Sequence, residues 1–291
     1  MINIVAVLLT CHNRKDKTIE CLRHLSESKN ACNYKFKMDV YLTDDGSTDN
    51  TSSEIRRRFP DVNILKGNGN LFWAGGMRNS WNEAMKNTSY DAFLLLNDDT
   101  LMESTCFDEL FKAHDYSLKR YRTGSIYIGS VMDQITMAHT YGGNLLLNKW
   151  TFKLKKVLPD GNIQECHIGN GNIMFIHKKV VETIGIFSKK YIHAIADYDY
   201  TLKAYEKKIP ILVCANYCGQ CTIDHPAPNF KKMNLKERIH YLKMPKGFEL
   251  SGYMYFMWRF FPFRAPFVYC SLWLKTLFPP IAAIIDRMLN R

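Results

Sequence analysis

The first hundred residues alternate between short apolar runs and segments whose apolar residues recur at helical spacing. "NIVAVLLT" is followed by polar "CHNRKDK" and then by "TIECLRHLSES", which gives strand, loop and helix. "KMDVYLTDDGSTDNTSSEIRRRF" repeats the unit, with a strand expected at Val40 to Leu42 and a helix beginning near Asp49 or Asn50, where short polar residues cap well. "VNILKG" adds a strand, "AGGMRNSWNEAMKN" a glycine-rich start to a helix, and "DAFLLLN" another strand. Near-continuous apolar strands alternating with helices mean βαβ units around a mostly parallel sheet covered on both faces.

Beyond about Tyr121 the pattern changes. "SIYIGSVMD", "HTYGGNLLL" and "WTFKLKKVLPDG" are shorter, more antiparallel strands with a Gly-rich turn. The expected organisation is therefore an α/β first half over 1–120, a mixed second half over 121–228 and an extension over 229–291. The 46% hydrophobic and 23% charged content fits a globular chain of this length. The opening "MINIVAVLLTCHNR" lacks a signal-peptide pattern and already forms the first strand, so a cytoplasmic protein with reduced thiols is expected. The nine cysteines are scattered through mostly apolar segments. One cluster, Cys214, Cys218 and Cys221 with His225, resembles half a zinc site, but no second complete pair follows.

The net charge is +11, and +8 of it lies from Asn229 onward, where 11 lysines and arginines face 3 acidic residues. The same extension carries "YMYFMWRFFPFRAPFVYCSLWLKTLFPPIAAII". Basic residues interleaved with aromatic ones suit an anionic bilayer surface better than a nucleic acid. Arg259, Arg264 and Lys275, with Pro262, Pro266, Pro279 and Pro280, interrupt any window long enough to span a bilayer. The alternative is a helical subdomain packed on the core or on another subunit, so a homo-oligomer is compatible with the chain.

Two strand ends are acidic: "TDDGSTD" with Asp44 and Asp45, and "NDDT" with Asp98 and Asp99. The carboxyl ends of parallel strands are where open α/β sheets bind ligands. Two adjacent carboxylates repel, and a cation relieves that repulsion; an ordinary strand-to-turn exit also favours Asn, Asp and Thr. The phosphate-loop pattern G-x-x-x-x-G-K-[ST] is absent, so carboxylates at a phosphate site make sense with Mg²⁺ or Mn²⁺ between them and a diphosphate.

Four segments in order resemble the family 2 glycosyltransferases of the GT-A fold: "TCHNR", "TDDGSTDNT", "NDDT" in place of the D-x-D-type motif, and "ADYDYTLKA". "GNGNLFWAGGMRNSWNEAM" and "GNGNIMFIHKKVVETIG" are similar to segments of the bacterial polysaccharide and rhamnosyltransferase-like subgroup. The resemblance covers roughly residues 3 to 225. It implies a nucleotide-binding half over 1–120, an acceptor and catalytic half over 121–228, and inverting transfer of a sugar from a UDP-, GDP- or dTDP-type donor to a glycan acceptor, lipid-linked in surface polysaccharide synthesis.

Carried over residue by residue, Thr10 and Asn13 line the nucleotide pocket and Asp45 reads the base. Asp99 ligates the cation, Asp98 reaches the ribose or the metal shell, and Gly75, Gly76 and Arg78 let the backbone approach the diphosphate. Asp197 is the implied general base, with a helix cap as its alternative. Ala196 stands where the family pattern E-D-x-D has its Glu. His225 falls where family members hold the metal or diphosphate, though a histidine beside prolines also suits a plain loop. Asn170 to Asn172 face the acceptor side, and Trp73 is either a sugar platform or a core tryptophan. On this reading the enzyme works at the inner face of the cell membrane. The rivals are a sugar nucleotidyltransferase, whose glycine- and basic-rich first loop is missing, and a non-catalytic membrane adaptor of the same fold.

Overall fold

The computed structural model describes residues 2–223, 230 and 232–280. The N-terminal half runs β1 (Ile4–Cys11), α1 (Lys15–Ala31), β2 (Lys37–Asp44), α2 (Thr51–Arg58), β3 (Val62–Lys66), α3 (Phe72–Asn87), β4 (Ala92–Leu96), β5 (Leu101–Met102) and α4 (Cys106–Tyr121). The second strand is longer than the sequence pattern suggests, because its edges are polar on the outside yet still pair along β1 from Lys37 to Asp44. The second helix begins at Thr51 after Asn50, which takes φ 65° at the cap position without a side-chain cap bond, while Asp49 Oδ1 accepts from the Thr51 N–H at 3.1 Å.

Shorter strands follow: β6 (Ile126–Ile128), β7 (Val131–Met132), β8 (His139–Tyr141), β9 (Gly143–Asn148), β10 (Lys153–Val157), β11 (Gln164–Glu165), β12 (Ile168–Gly169) and β13 (Ile173–His177). Then come α5 (Lys178–Ile184), α6 (Ala196–Glu206), β14 (Ile211–Val213) and β15 (Gly219–Gln220), and finally α7 (Leu235–Lys243), α8 (Leu250–Phe260) and α9 (Ala265–Leu277).

The main sheet has the order β11-β14-β6-β13-β4-β1-β2-β3. Strands β3, β2, β1 and β4 are parallel, and β14 is parallel to β6; β13 runs against both β4 and β6, and β11 against β14. Two small sheets, β10-β9-β12 and β5-β15-β7-β8, hold the mixed half. Strand parity divides the core into two layers. Val5, Val7 and Leu9 of β1 pack with α1 and α4, whereas Ala6 and Leu8 face α3, α6 and α8.

The C-terminal extension joins the second layer. Met254, Phe256 and Met257 of α8, with Phe261 and Ala265, are buried in the same cluster as Trp81 and Tyr200. Arg259, expected among lipid-facing charges, instead donates to Asp199 at 3.2 Å, and the Nη1 of Arg264 is buried. Trp258, Phe263, Phe267 and Tyr269 remain exposed. Among the described residues no helix is long and apolar enough to cross a membrane.

Candidate active site

A cavity of about 390 Å³ opens at the carboxyl end of β4 and is closed by the segments before β13 and α6. Asp98 and Asp99 reach it from the first half of the chain, Asn170 to Asn172 and Asp197 from the second. The two halves meet through main-chain bonds: Asn97 N–H donates to the Asn172 carbonyl at 3.1 Å, and Thr100 N–H returns to the Asn97 carbonyl at 3.1 Å, turning the chain so that both acids face the cleft.

A protein cation already relieves the repulsion between the two acids. Arg14 donates from Nη1 to Asp98 Oδ1 at 3.2 Å and from Nη2 to Asp99 Oδ2 at 2.5 Å. Burial, followed by repulsion from Asp99, pushes the Asp98 carboxyl up to about 7, against the opposing pull of Arg14. Asp99 is the more open, with 16% of its side chain exposed. One or two carboxylates plus substrate phosphates are a usual Mg²⁺ or Mn²⁺ donor set, so this pair fits a divalent ion provided Arg14 yields an oxygen. Among the described residues no group of three His, Cys, Asp or Glu stands ready for a metal. The expected ligand His225 lies outside the described residues. Cys214, Cys218 and Cys221 are buried in the core, and Cys221 Sγ points to Asp99 Oδ1 at 3.7 Å.

Asp197 stands in the first turn of α6 and lines the cleft. Its Oδ2 accepts from the Gly171 N–H and its Oδ1 from the Tyr198 N–H, both at 2.9 Å. Burial pushes its carboxyl up to about 6, and those hydrogen bonds hold it from rising further. A carboxylate with an elevated pKa in a cleft is suited to take a proton near neutral pH. Asp199, two residues on, faces the opposite way. It is 3% exposed and accepts from the Tyr191 hydroxyl at 2.7 Å and from Arg259.

Trp73 forms one wall. Its Nε1 donates to Asn97 Oδ1 at 2.7 Å, and its ring lies against Phe187 with centroids 5.5 Å apart. A Cβ on Gly171 would come within 2.7 Å of this indole, so glycine is needed where the strand-end loop passes the ring. Trp73 thus has a packed edge and a cavity-lining edge at once.

The remaining sequence-derived residues are placed differently. Both oxygens of Asp45 are taken by main-chain N–H groups of the 67–72 loop, from Gly69 and Phe72 at 2.8 Å each. A carboxylate has about four lone-pair sites, so Asp45 keeps acceptor capacity while it holds that loop. Asn13 staples two loops: its Oδ1 accepts from the Thr48 N–H at 2.7 Å, and its own N–H donates to Ser47 Oγ at 2.9 Å. Thr10 is buried against α3, where a Cβ on Gly76 would come within 2.0 Å of its Oγ1. Gly76 is a buried helix–sheet packing position, whereas Gly75, also buried, lies against the Leu71 side chain and donates its N–H to the Ile192 carbonyl at 3.3 Å. Arg78 Nη1 donates to the Ser188 and Tyr191 carbonyls at 2.9 and 2.7 Å. None of these three lines the cleft: Gly76 faces Thr10 of β1, and Gly75 and Arg78 bond to carbonyls of segment 188–192.

Arg14 belongs to the "TCHNR" segment, and a guanidinium one residue ahead of α1, with an acidic strand end elsewhere in the chain, is the sequence signal for this ion pair. His193 also lines the cleft, in a segment where Ile195 takes φ 66°, and Phe72 at the start of α3 takes φ 53°. Positive φ at bulky residues costs about 1–3 kcal/mol each and collects at functional sites.

The profile described as Glycosyl transferase family 2 matches residues 6–185. Sequence comparison with curated proteins finds no match. Among solved structures, the mannosyltransferase PcManGT from Pyrobaculum calidifontis, in complex with GDP-Man and Mn²⁺, is similar with a TM-score of 0.53 at 16% identity, over 97% of this chain and 72% of that one. TarS from S. aureus is similar with a TM-score of 0.51 at 14% identity, over 83% of this chain and 40% of its own. These likenesses bear out the mixed α/β architecture of the GT-A type.

Proposed function

The chain belongs to glycosyl transferase family 2, and from that premise we propose that it moves a sugar from a nucleotide diphosphate donor to a glycan hydroxyl with inversion at the anomeric carbon. The carrying observation is that Asp197 shares one cavity with Asp98 and Asp99, although a hundred residues separate them in sequence. Asp197 takes the proton from the acceptor hydroxyl. The oxygen then attacks the anomeric carbon, the bond from that carbon to the diphosphate oxygen breaks, and the nucleoside diphosphate leaves with the electron pair. Asp99, with Asp98 beside it, is the pair to hold Mn²⁺ or Mg²⁺, which when bound stabilises charge on the departing diphosphate. Arg14, displaced from the acids, is within reach of the same negative charge. Asp45 and the 67–72 loop flank the nucleotide side, and Trp73 and Asn170 to Asn172 the sugar and acceptor side. The transferred group is a hexose or deoxyhexose of a bacterial surface polysaccharide.

Thermal unfolding with UDP, GDP, dTDP and CDP, each with Mn²⁺ or EDTA, tests the donor side. One nucleotide at 100 times its Kd adds about 2.7 kcal/mol of stability, and the shift requires both Mn²⁺ and Asp99. Absence of a shift with every nucleotide overturns the reading and brings forward a non-catalytic adaptor.

The acceptor is lipid-linked, and the extension keeps the enzyme at the inner, anionic leaflet. Support comes from the +8 charge beyond residue 228 and from Phe263 and Phe267, 76% and 75% exposed beside Trp258 and Tyr269. Replacing Phe263 and Phe267 by serine lowers co-sedimentation with phosphatidylserine vesicles; unchanged co-sedimentation overturns this part.

A further inference from the structure

Glu249 is 2% exposed and stands at the head of α8 with φ 51°. Its Oε1 accepts from the Ile192 N–H at 2.7 Å, and its Oε2 from the His193 and Ala194 N–H groups at 2.8 Å each. Three successive amides thus converge on one buried carboxylate. They belong to the segment that ends in the left-handed Ile195 and delivers Asp197 at the start of α6. The other side of the segment is fixed as well: the Ile192 carbonyl accepts from the Ala74 and Gly75 N–H groups at 3.1 and 3.3 Å, and the Trp73 N–H meets His193 Nδ1 at 3.4 Å.

Gly252 belongs to the same device. A Cβ there would lie 2.6 Å from Glu249 Oε1, so the carboxylate folds back over the first turn of α8 into space that only glycine leaves. Arg259 gives α8 a second hold on the catalytic helix through Asp199. Charge-assisted bonds to consecutive amides are strong and directional, and they keep a strained backbone from relaxing.

We propose that Glu249 is a positioning residue: reaching in from the C-terminal extension, it fixes segment 192–195 and through it the placement of His193 and Asp197 in the cleft. The inference deepens the glycosyl-transfer reading and rests on it for the catalytic consequence. It makes the extension part of the active site, whatever else that extension docks on.

Glu249→Gln presents an amide N–H₂ to at least one main-chain N–H, and Gly252→Ala pushes an intact carboxylate off its place, so the second variant serves if the first folds poorly. Both are made in the full chain. Hydrogen exchange is followed at residues 192–195 and at β1 and β4, and kcat and donor KM are measured for transfer. In both variants, exchange at 192–195 accelerates at least about tenfold while β1 and β4 stay protected. The kcat falls by about 10²-fold, with donor KM within about twofold of wild type, as displacement of a positioned group does. Unchanged exchange at 192–195 in Glu249→Gln overturns the anchor. Faster exchange with wild-type kcat overturns its catalytic consequence, and so does a fall in kcat that only tracks a lower folded fraction. A wild-type chain that transfers no sugar overturns the glycosyl-transfer reading instead, and the exchange measurement still decides the anchor.

Discussion

Arg14 spans Asp98 and Asp99 at 3.2 and 2.5 Å, so its removal leaves two carboxylates facing each other in a largely buried corner. Because the guanidinium is 30% exposed, the expected loss for Arg14→Met in EDTA is about 1–2 kcal/mol rather than the cost of a fully buried pair. Millimolar Mn²⁺ restores much of it, which calorimetry with and without metal reads directly. On the proposed mechanism Asp197 carries the pH dependence. Its carboxyl, lifted to about 6 by burial, must be ionised to accept a proton, so kcat falls as pH drops through about 6 and Asp197→Asn abolishes turnover. The stability sign is opposite. The folded state of a raised carboxyl holds its proton to higher pH than the unfolded chain, so Asp98 and Asp197 favour folding below about pH 4 and lose that contribution as pH rises to 6–7. Thermal melts across pH 4 to 8 in the absence of metal check this.

At the scale of elements, α3 and α8 decide where the cleft walls stand. Gly76→Val forces α3 away from Thr10 and costs about 1–3 kcal/mol by denaturant unfolding, as overpacking does. Phe256→Ala empties a fully buried site between α8 and the sheet layer and costs about 3–5 kcal/mol. The strand–helix alternation up to β4 was legible in the sequence because each element there carries its own period. That Asp197 and the "NDDT" acids belong together was legible only through motif order, and the structure places them along one cleft. Glu249 was not: it lies more than fifty residues from the segment it holds, in a stretch whose charge and aromatic content pointed outward to lipid. For a related reason the sequence does not show which way the glycines of "AGGMR" face. A glycine reads the same whether it admits a ligand or a neighbouring strand, and only the packing of α3 on β1 separates the two.

For the whole molecule, the order of the main sheet sets an order of events. Strands β1, β2, β3 and β4 come from the first hundred residues and pair with one another, but β4 meets its other neighbour, β13, only after residue 173. The cleft lies along that seam, and the ties from α8, Glu249 and Arg259, follow more than seventy residues later. Long-range pairings of this kind form late because loop closure must precede their reward. On the ribosome, the first half can therefore collapse early, while segment 192–195 waits for α8 to leave the exit tunnel. A chain interrupted before that helix keeps its acidic strand mouth but lacks the carboxylate that ties segment 192–194, so on the proposed function an incomplete copy would bind donor better than it transfers its sugar.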